Sequence, residues 1–397
     1  MTPRPAGAGA VTVLIWVQHL LGSGHLERMR WVAEALAARG ADVHFVSGGM
    51  PRPERMPRHV RLIQLPPVQV ADARFTPLLD AAGRPLTDAF RRARAEALCA
   101  AYDTAGPDVV LMETWPFGRR AFGFELDPLL ARIASCAPRP RVVASVRDLL
   151  HVRADPARDA AVWRVARESV DEILVHGDPT FARLEETFPP AADAAVRVTY
   201  TGYVVAAHGP AAVVPADRRH EIVVAASSGD AGRELLATAI AARAHSAHVA
   251  LTWRVLVGPG VPDAAFEVLV NEARRSGTLV ERHRPDYRGL VAKARVSVSQ
   301  AGYNTIQDVL GARTPAVLVP FAAAGETEQA MRAAKLGARG LAEVVDERDL
   351  APPALAAAID RAALRGVAPP CPFATDGAAR SAERIVEIAR QREAAAR

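Results

Sequence analysis

Residues Val296 to Arg332, VSVSQAGYNTIQDVLGARTPAVLVPFAAAGETEQAMR, read as strand, glycine turn, helix, strand, turn and helix. Val296 and Val298 sit in a short apolar run of the buried-strand type. Ala301-Gly302 breaks that run, and Thr305 to Leu310 carries helical spacing. Pro315 restarts the chain, Ala316 to Val319 forms a second apolar strand, and Pro320 closes it. Glu326-Thr327-Glu328-Gln329 opens another helix. Two helix N-termini thus follow two neighbouring parallel strands. Free backbone N–H groups and positive dipole ends then gather at one sheet edge, a setting suited to phosphate-bearing ligands.

The same alternation runs through the rest of the chain. Val11–Val17 is a strand, Leu21-Gly22-Ser23-Gly24 a turn, and His25–Arg39 a helix with Met29, Val32, Ala33 and Leu36 on its apolar face. Gly40 ends that helix, and Asp42–Val46 completes a βαβ unit. Met50 to Thr87 is proline-rich with one short strand at Val60–Leu65. Helices at Ala89–Ala101, Phe124–Ser135 and Ala157–Ser169 alternate with strands at Asp108–Met112, Arg141–Val146 and Glu172–Val175. Asp178 before Pro179 predicts an N-cap and a further helix, and Val196–Thr199 is a strand. The alternation resumes at Glu221–Ala225 and closes with helices near Leu350–Leu364 and Ala378–Ala394. The expectation is an α/β protein with two Rossmann-like, doubly wound parallel-sheet domains facing a cleft. They span residues 1–203 and 219–397, with 204–218 as linker and the C-terminal helices in the second domain.

Composition narrows the class. A chain of 397 residues that is 50% hydrophobic suits two globular cores. The formal charge is only +5, and of the basic residues only Lys293 and Lys335 are lysines. No basic run of nucleic-acid-binding density occurs. Cys99, Cys136 and Cys371 are scattered, which argues for a reducing compartment and against a zinc site. The run after Arg4 is short and leads into a glycine turn and a helix, so it reads as a first strand and not as a signal peptide. No apolar run reaches the ~20 residues that span a bilayer. These features predict a cytoplasmic protein with no nucleic-acid partner.

Several motifs occur in order along nearly the whole chain. They are Gly22-Ser23-Gly24-His25-Leu26-Glu27-Arg28, Pro116-Phe117-Gly118-Arg119-Arg120, Arg147-Asp148, Val175-His176-Gly177-Asp178-Pro179, Thr201-Gly202-Tyr203, Ser299-Gln300-Ala301-Gly302-Tyr303-Asn304-Thr305 and Glu326-Thr327-Glu328-Gln329. Together they resemble the GT-B glycosyltransferases, and more closely glycosyltransferase family 28, typified by the peptidoglycan N-acetylglucosaminyltransferase. A branch of bacterial predicted glycosyltransferases is similar. One departure is Ser227-Ser228-Gly229 where the family has three glycines.

The residues and the resemblance together define candidate roles. Gly302, Tyr303, Asn304 and Thr305 lie at a helix start where backbone N–H groups face a diphosphate. The resemblance implies that Asp308, one turn on, takes the ribose diol, and that Glu328 and Gln329, with Glu326 beside them, hold sugar hydroxyls. It places Ser228 and Gly229 of the weak glycine turn, with Gly22 and Gly24, against ligand, and Arg284 where the nucleotide base is read. His25 is the candidate base, because an unperturbed imidazole pKa near 6.5 suits proton abstraction near neutrality. Glu113, Asp148 and His151 lie at neighbouring strand ends and are rivals. Each has a bland counterpart: a helix cap, an acid favoured near a helix N-terminus, or a structural histidine.

No Asp-x-Asp triplet is present, and family resemblance implies metal-independent, inverting transfer with no cofactor. The donor would be a nucleotide sugar, a UDP-sugar on the resemblance. The acceptor stays open among a small molecule, a glycan and a lipid-linked sugar. The last would call for peripheral contact at the inner membrane face, for which Arg91, Arg92, Arg94, Arg119 and Arg120 are candidates. The alternatives are a GT-B-fold UDP-sugar epimerase and a non-catalytic nucleotide- or glycan-binding module.

Overall fold

The computed structural model describes residues 10–20, 22, 24–52, 56–71, 76–205, 214–226, 232–321 and 325–395. The chain divides into two compact units, Met1–Ala207 with Phe373–Arg397, and His208–Pro372. In the first, β1 (Thr12–Val17), α1 (Gly24–Ala38), β2 (Asp42–Ser47) and β3 (Val60–Gln64) are followed by α2 (Asp88–Ala105), β4 (Val109–Glu113) and α3 (Gly123–Ala134). Next come β5 (Arg141–Arg147), α4 (Pro156–Ser169), β6 (Glu172–His176) and β7 (Arg197–Tyr200). The strands form one sheet in the order β3-β2-β1-β4-β5-β6-β7, every pair parallel. Strand order reverses between β1 and β4. In doubly wound sheets that switch point opens a crevice beyond the strand carboxyl ends.

Burial explains the pattern of residues. β1, TVLIWV, is buried along its whole length, as a central strand covered on both faces must be. Leu14, Trp16, Val110, Met112, Val142 and Ala144 pack under α2, α3 and α4. Val13, Ile15, Val43, Phe45, Leu111 and Val143 pack under Leu26, Met29, Val32, Ala33 and Leu36 of α1, a stripe at helical spacing.

The second unit holds β8 (Glu221–Ala225), α5 (Arg233–Ala242), β9 (Thr252–Val257), α6 (Asp263–Ser276), β10 (Leu279–Arg282), α7 (Tyr287–Lys293) and β11 (Ala294–Ser299). It continues with α8 (Tyr303–Gly311), β12 (Ala316–Leu318), α9 (Glu328–Ala338), β13 (Glu343–Val344) and α10 (Pro352–Leu364). Its parallel sheet runs β10-β9-β8-β11-β12-β13, with the order reversing between β8 and β11. The core joins Val224, Val255, Val296, Val298 and Val317 to α5, α6 and α10. Among the described residues no helix is long and apolar enough to cross a membrane.

Two sequence expectations need correction. The last helix, α11 (Gly377–Ala395), belongs to the first unit. Its Ala382, Ile385, Ile388 and Ala389 complete the core over α1. Arg384 forks onto Glu172 at 2.8 and 2.7 Å, and Arg392 reaches Asp108 at 2.7 Å. Gly377 is required there: a Cβ would lie 2.2 Å from the Gly202 carbonyl oxygen. Second, no α-helix follows Asp178. Its carboxylate accepts from Thr180 N at 2.9 Å, Thr180 Oγ1 at 2.6 Å and Ala374 N at 3.0 Å. The chain there makes only short 3₁₀ turns, Leu184–Glu186 and Pro189–Asp193, because Asp178 anchors the returning segment.

Candidate active site

At the carboxyl ends of the first sheet, His25 on the first turn of α1 meets Glu113, the last residue of β4. The His25 Nδ1–Glu113 Oε1 distance is 2.8 Å. Glu113 is 1% exposed and His25 15%. The Arg28 guanidinium, one helical turn after His25 and itself buried, donates to the same Glu113 oxygen. Thr114 Oγ1 donates to it at 2.9 Å, and Ser145 Oγ donates to Oε2 at 2.6 Å. Thr114 takes a left-handed φ of 66°, a conformation that costs a β-branched residue about 1–2 kcal/mol and turns its hydroxyl toward the carboxylate.

Burial alone pushes the Glu113 carboxyl up, but Arg28, His25 and Ser145 outweigh it and hold it below the usual carboxylate range. Glu113 is therefore an anion. Burial pushes the His25 imidazole down to about 3, with the Arg119 and Arg147 guanidiniums adding to the effect and Glu113 opposing it. His25 is thus neutral near pH 7. With Nδ1–H given to Glu113, Nε2 keeps its lone pair and can accept a proton.

His176, at the end of β6, is fully buried, and burial followed by Arg28 brings it down to about 3 against the opposing pull of Glu113. The linkage sign follows. Both histidines have folded pKa values below the unfolded 6.5, so the unfolded chain binds more protons between 6.5 and about 3. Their stabilisation is present above pH 6.5 and is lost as pH falls through that window. Thermal unfolding is expected to show stability dropping by up to about 1.4 kcal/mol per pH unit for each histidine, and His176→Gln should flatten the slope. A slope unchanged in that variant would show that His176 is not neutral in the fold.

Asp148 is placed differently. It is fully buried, accepts from Leu149 N at 2.9 Å, and takes the Tyr203 hydroxyl at 3.2 Å. It braces the sheet end and does not join His25. His151 is exposed. Gly22 has φ 66° and Gly24 begins α1, so both serve the turn that delivers His25. Of the five arginines considered for a basic surface, Arg94 is fully buried on Glu125. Arg119 is pinned to the Gln18 carbonyl at 2.6 Å. Arg92 and Arg120 are exposed, and Arg91 is half-buried against Phe124.

In the second unit Gly302 is the N-cap of α8, with φ −66° and ψ 147°. Among the described residues a Cβ there would meet only Thr305 Oγ1, at 3.8 Å, so none of them fills this helix start. Tyr303 is buried, and Asn304 and Thr305 are half-buried. Asp308 receives Arg288 Nε at 2.5 Å. Burial pushes its carboxyl up, and Arg288 and His283 oppose that. Glu326 accepts from Glu328 N at 2.7 Å, capping α9, and Gln329 Oε1 accepts from Phe321 N at 3.3 Å. Glu328 is buried 3.8 Å from Arg332, and Arg332 also donates to the Ala301 carbonyl at 2.8 Å. Arg332 therefore ties the start of α9 to the turn before α8. Arg284 is occupied by Asp286, at 2.9 and 2.8 Å, and by Glu281 at 3.3 Å, so its side chain is committed to surface acids. Ser228 and Gly229 lie outside the described residues.

Sequence reasoning missed Thr114, Ser145, Arg288 and Arg332, and gave Arg28 and His176 no role. Arg28 and His176 stand inside quoted motifs, so a signal existed for them. Ser299 Oγ at the end of β11 and Gln307 Oε1 on α8 are buried with no hydrogen-bond partner among the described residues, and both fall in or beside the motif that defines the α8 start.

Residues 264–385 match the glycosyltransferase family 28 C-terminal domain. Over 71 residues the chain is 39% identical to the UDP-N-acetylglucosamine–N-acetylmuramyl-(pentapeptide) pyrophosphoryl-undecaprenol N-acetylglucosamine transferase of Brucella canis. That stretch takes in 18% of this chain and 19% of that protein. The chain thus spans about a fifth of the length of the curated relatives it matches. Among solved structures, Acinetobacter baumannii MurG is similar at 15% identity and a TM-score of 0.55, covering 96% of this chain and 99% of that one. Os79 from O. sativa, in complex with UDP, gives 13% identity and a TM-score of 0.59, covering 96% and 100%. These likenesses establish the fold as GT-B.

Proposed function

We propose that this chain, which carries a glycosyltransferase family 28 C-terminal domain within a GT-B fold, transfers a sugar from a UDP-sugar to a hydroxyl acceptor. The observation that carries the reading is the neutral His25, held by anionic Glu113 at the switch point of the first sheet. In this reading His25 Nε2 takes the acceptor proton as the acceptor oxygen attacks the anomeric carbon. The bond from that carbon to the diphosphate oxygen breaks on the opposite side, so configuration inverts. The nucleoside diphosphate departs toward the Gly302–Thr305 helix start, whose backbone N–H groups offset its charge without a metal ion. Asp308 receives the ribose hydroxyls when Arg288 yields it, and Gln329 the sugar. The match to a transferase whose name includes a pyrophosphoryl-undecaprenol group supports an acceptor presented at a membrane face.

The test is incubation with a panel of UDP-sugars and measurement of released UDP, with and without candidate acceptors. Slow release without acceptor, faster release with it, and no loss on adding EDTA are expected. Isomerised UDP-sugar with no UDP released would replace this reading with an epimerase. Gly302→Ala tests the donor assignment. The open space at Gly302 predicts folding stability within about 1 kcal/mol of the parent, whereas a methyl group at a diphosphate-binding backbone should weaken UDP binding about tenfold or more by calorimetry. Unchanged UDP affinity would move the diphosphate elsewhere.

A further inference from the structure

The polar groups around Glu113 continue across the sheet, one strand at a time. Ser145 on β5 is the register partner of Glu113 on β4. Ser145 Oγ lies 2.9 Å from His176 Nε2 at the end of β6, and His176 Nδ1 lies 2.9 Å from Thr201 Oγ1 just after β7. Ser381 on α11 closes the far end, 3.4 Å from His176 Nδ1. Ser145, His176, Thr201 and Ser381 are all buried to 1% exposure or less.

Proton counting gives this row a single direction. An ionised carboxylate only accepts hydrogen bonds. The one proton of Ser145 is therefore committed to Glu113 Oε2, at 2.6 Å. Ser145 must then accept from His176 Nε2–H. A neutral imidazole has one N–H, so His176 Nδ1 is bare and accepts the Thr201 proton. Ser381 does not compete for it, because its own proton goes to the Gly377 carbonyl at 2.5 Å. At the other end His25 Nδ1 faces the same anion at 2.8 Å and must be the donor. The other acceptors in reach are farther off: Thr201 Oγ1 lies 3.3 Å from the Gly202 carbonyl and 3.4 Å from the Val175 carbonyl, and Ser145 Oγ lies 3.6 Å from Met29 Sδ, so the shorter contacts set the directions.

We infer that Ser145 and His176 are positioning residues for His25. The chain Thr201 to His176 to Ser145 to Glu113 locks the carboxylate so that His25 is held as the Nδ1–H tautomer with Nε2 bare. The inference rests on the reading of His25 as the base and adds what keeps that base in its working form. A carboxylate anchored at one oxygen only is free to swing, and the tautomer of the imidazole it holds is then no longer fixed. Ser145 and His176 touch neither donor nor acceptor in this scheme; they act through Glu113.

The experiment is ¹⁵N-correlated NMR of the histidine side chains in the full chain, together with kinetics of Ser145→Ala, His176→Leu and His176→Gln. In the parent protein His25 should carry its proton on Nδ1 and His176 on Nε2. Ser145→Ala should give mixed tautomers at both rings and lower kcat about tenfold, with the KM for the UDP-sugar unchanged. His176→Leu should lower kcat similarly. His176→Gln, whose amide can donate to Ser145 in place of Nε2–H, should recover most of it. A parent spectrum with His176 protonated on Nδ1 overturns the inference. So does a Ser145→Ala enzyme with unchanged kcat while His25→Ala is impaired. If His25→Ala is itself unimpaired, the base reading fails, and the tautomer spectra decide the hydrogen-bond chain independently.

Discussion

Replacing His25 with alanine is expected to lower kcat about 10²- to 10⁴-fold, the contribution typical of a positioned general base, and to leave UDP-sugar affinity near the parent value. The split follows from where the groups sit. His25 and Glu113 belong to the first unit, while the proposed diphosphate, ribose and sugar contacts, Gly302–Thr305, Asp308 and Gln329, all belong to the second. The variant should also fold. Glu113 keeps Arg28, Thr114 and Ser145 as donors when the imidazole is removed, so no buried charge is left unpaired. Because the ring titrates at about 3, the parent enzyme should show no acid limb from His25 between pH 5 and 8. Steady-state kinetics across that range, with calorimetry of UDP binding, checks both halves. A parent rate that falls as pH drops through 6.5 would mean that His25 is not desolvated as described.

Deleting residues 373–397 is expected to unfold the first unit and spare the second. That segment places Ala382, Ile385, Ile388 and Ala389 in the core shared with α1. At about 1.5–3 kcal/mol for each fully buried isoleucine, their loss costs roughly 5 kcal/mol or more, comparable to the whole stability of a typical domain. Removing Arg384 and Arg392 also leaves the largely buried Glu172 and Asp108 without those cations. Hydrogen exchange resolved by segment reads this directly. Protection should collapse over β1, α1 and β4 and persist over β8, β9 and β11. The opposite pattern would return the helix to the second unit. Ile385→Asp, which forces a charge into the same core, should produce a milder version of the same result.

Much of the architecture was legible in the sequence because its determinants are local. Apolar runs such as Val11–Val17 and Val296–Ser299 are strands whatever packs on them, and Gly40 stops a helix through its own backbone freedom. Gly302-Tyr303-Asn304-Thr305 announces an open helix start by residue type alone. The helix expected after Asp178 failed for the complementary reason. Asp178 followed by Pro179 is a valid cap locally, but its carboxylate is claimed by Ala374, 196 residues away. Placement of α11 was illegible in the same way. An amphipathic helix shows that it must bury a face, not which sheet receives it.

By itself, then, the sequence determined two parallel α/β sheets, their glycine turns, and His25 at the end of the first turn. Only the tertiary structure decided that His25 meets Glu113, 88 residues on, and that Arg28 and Ser145 converge on that carboxylate with His176 behind Ser145, while Asp148 turns to Tyr203. The physical reason is that strand order, β1-β4-β5-β6-β7, sets which strand ends are neighbours. Burial then sets their charge, leaving Glu113 anionic and both histidines neutral. Neither adjacency across a sheet nor desolvation is a property of a residue or its sequence neighbours; both exist only once the chain has closed around them.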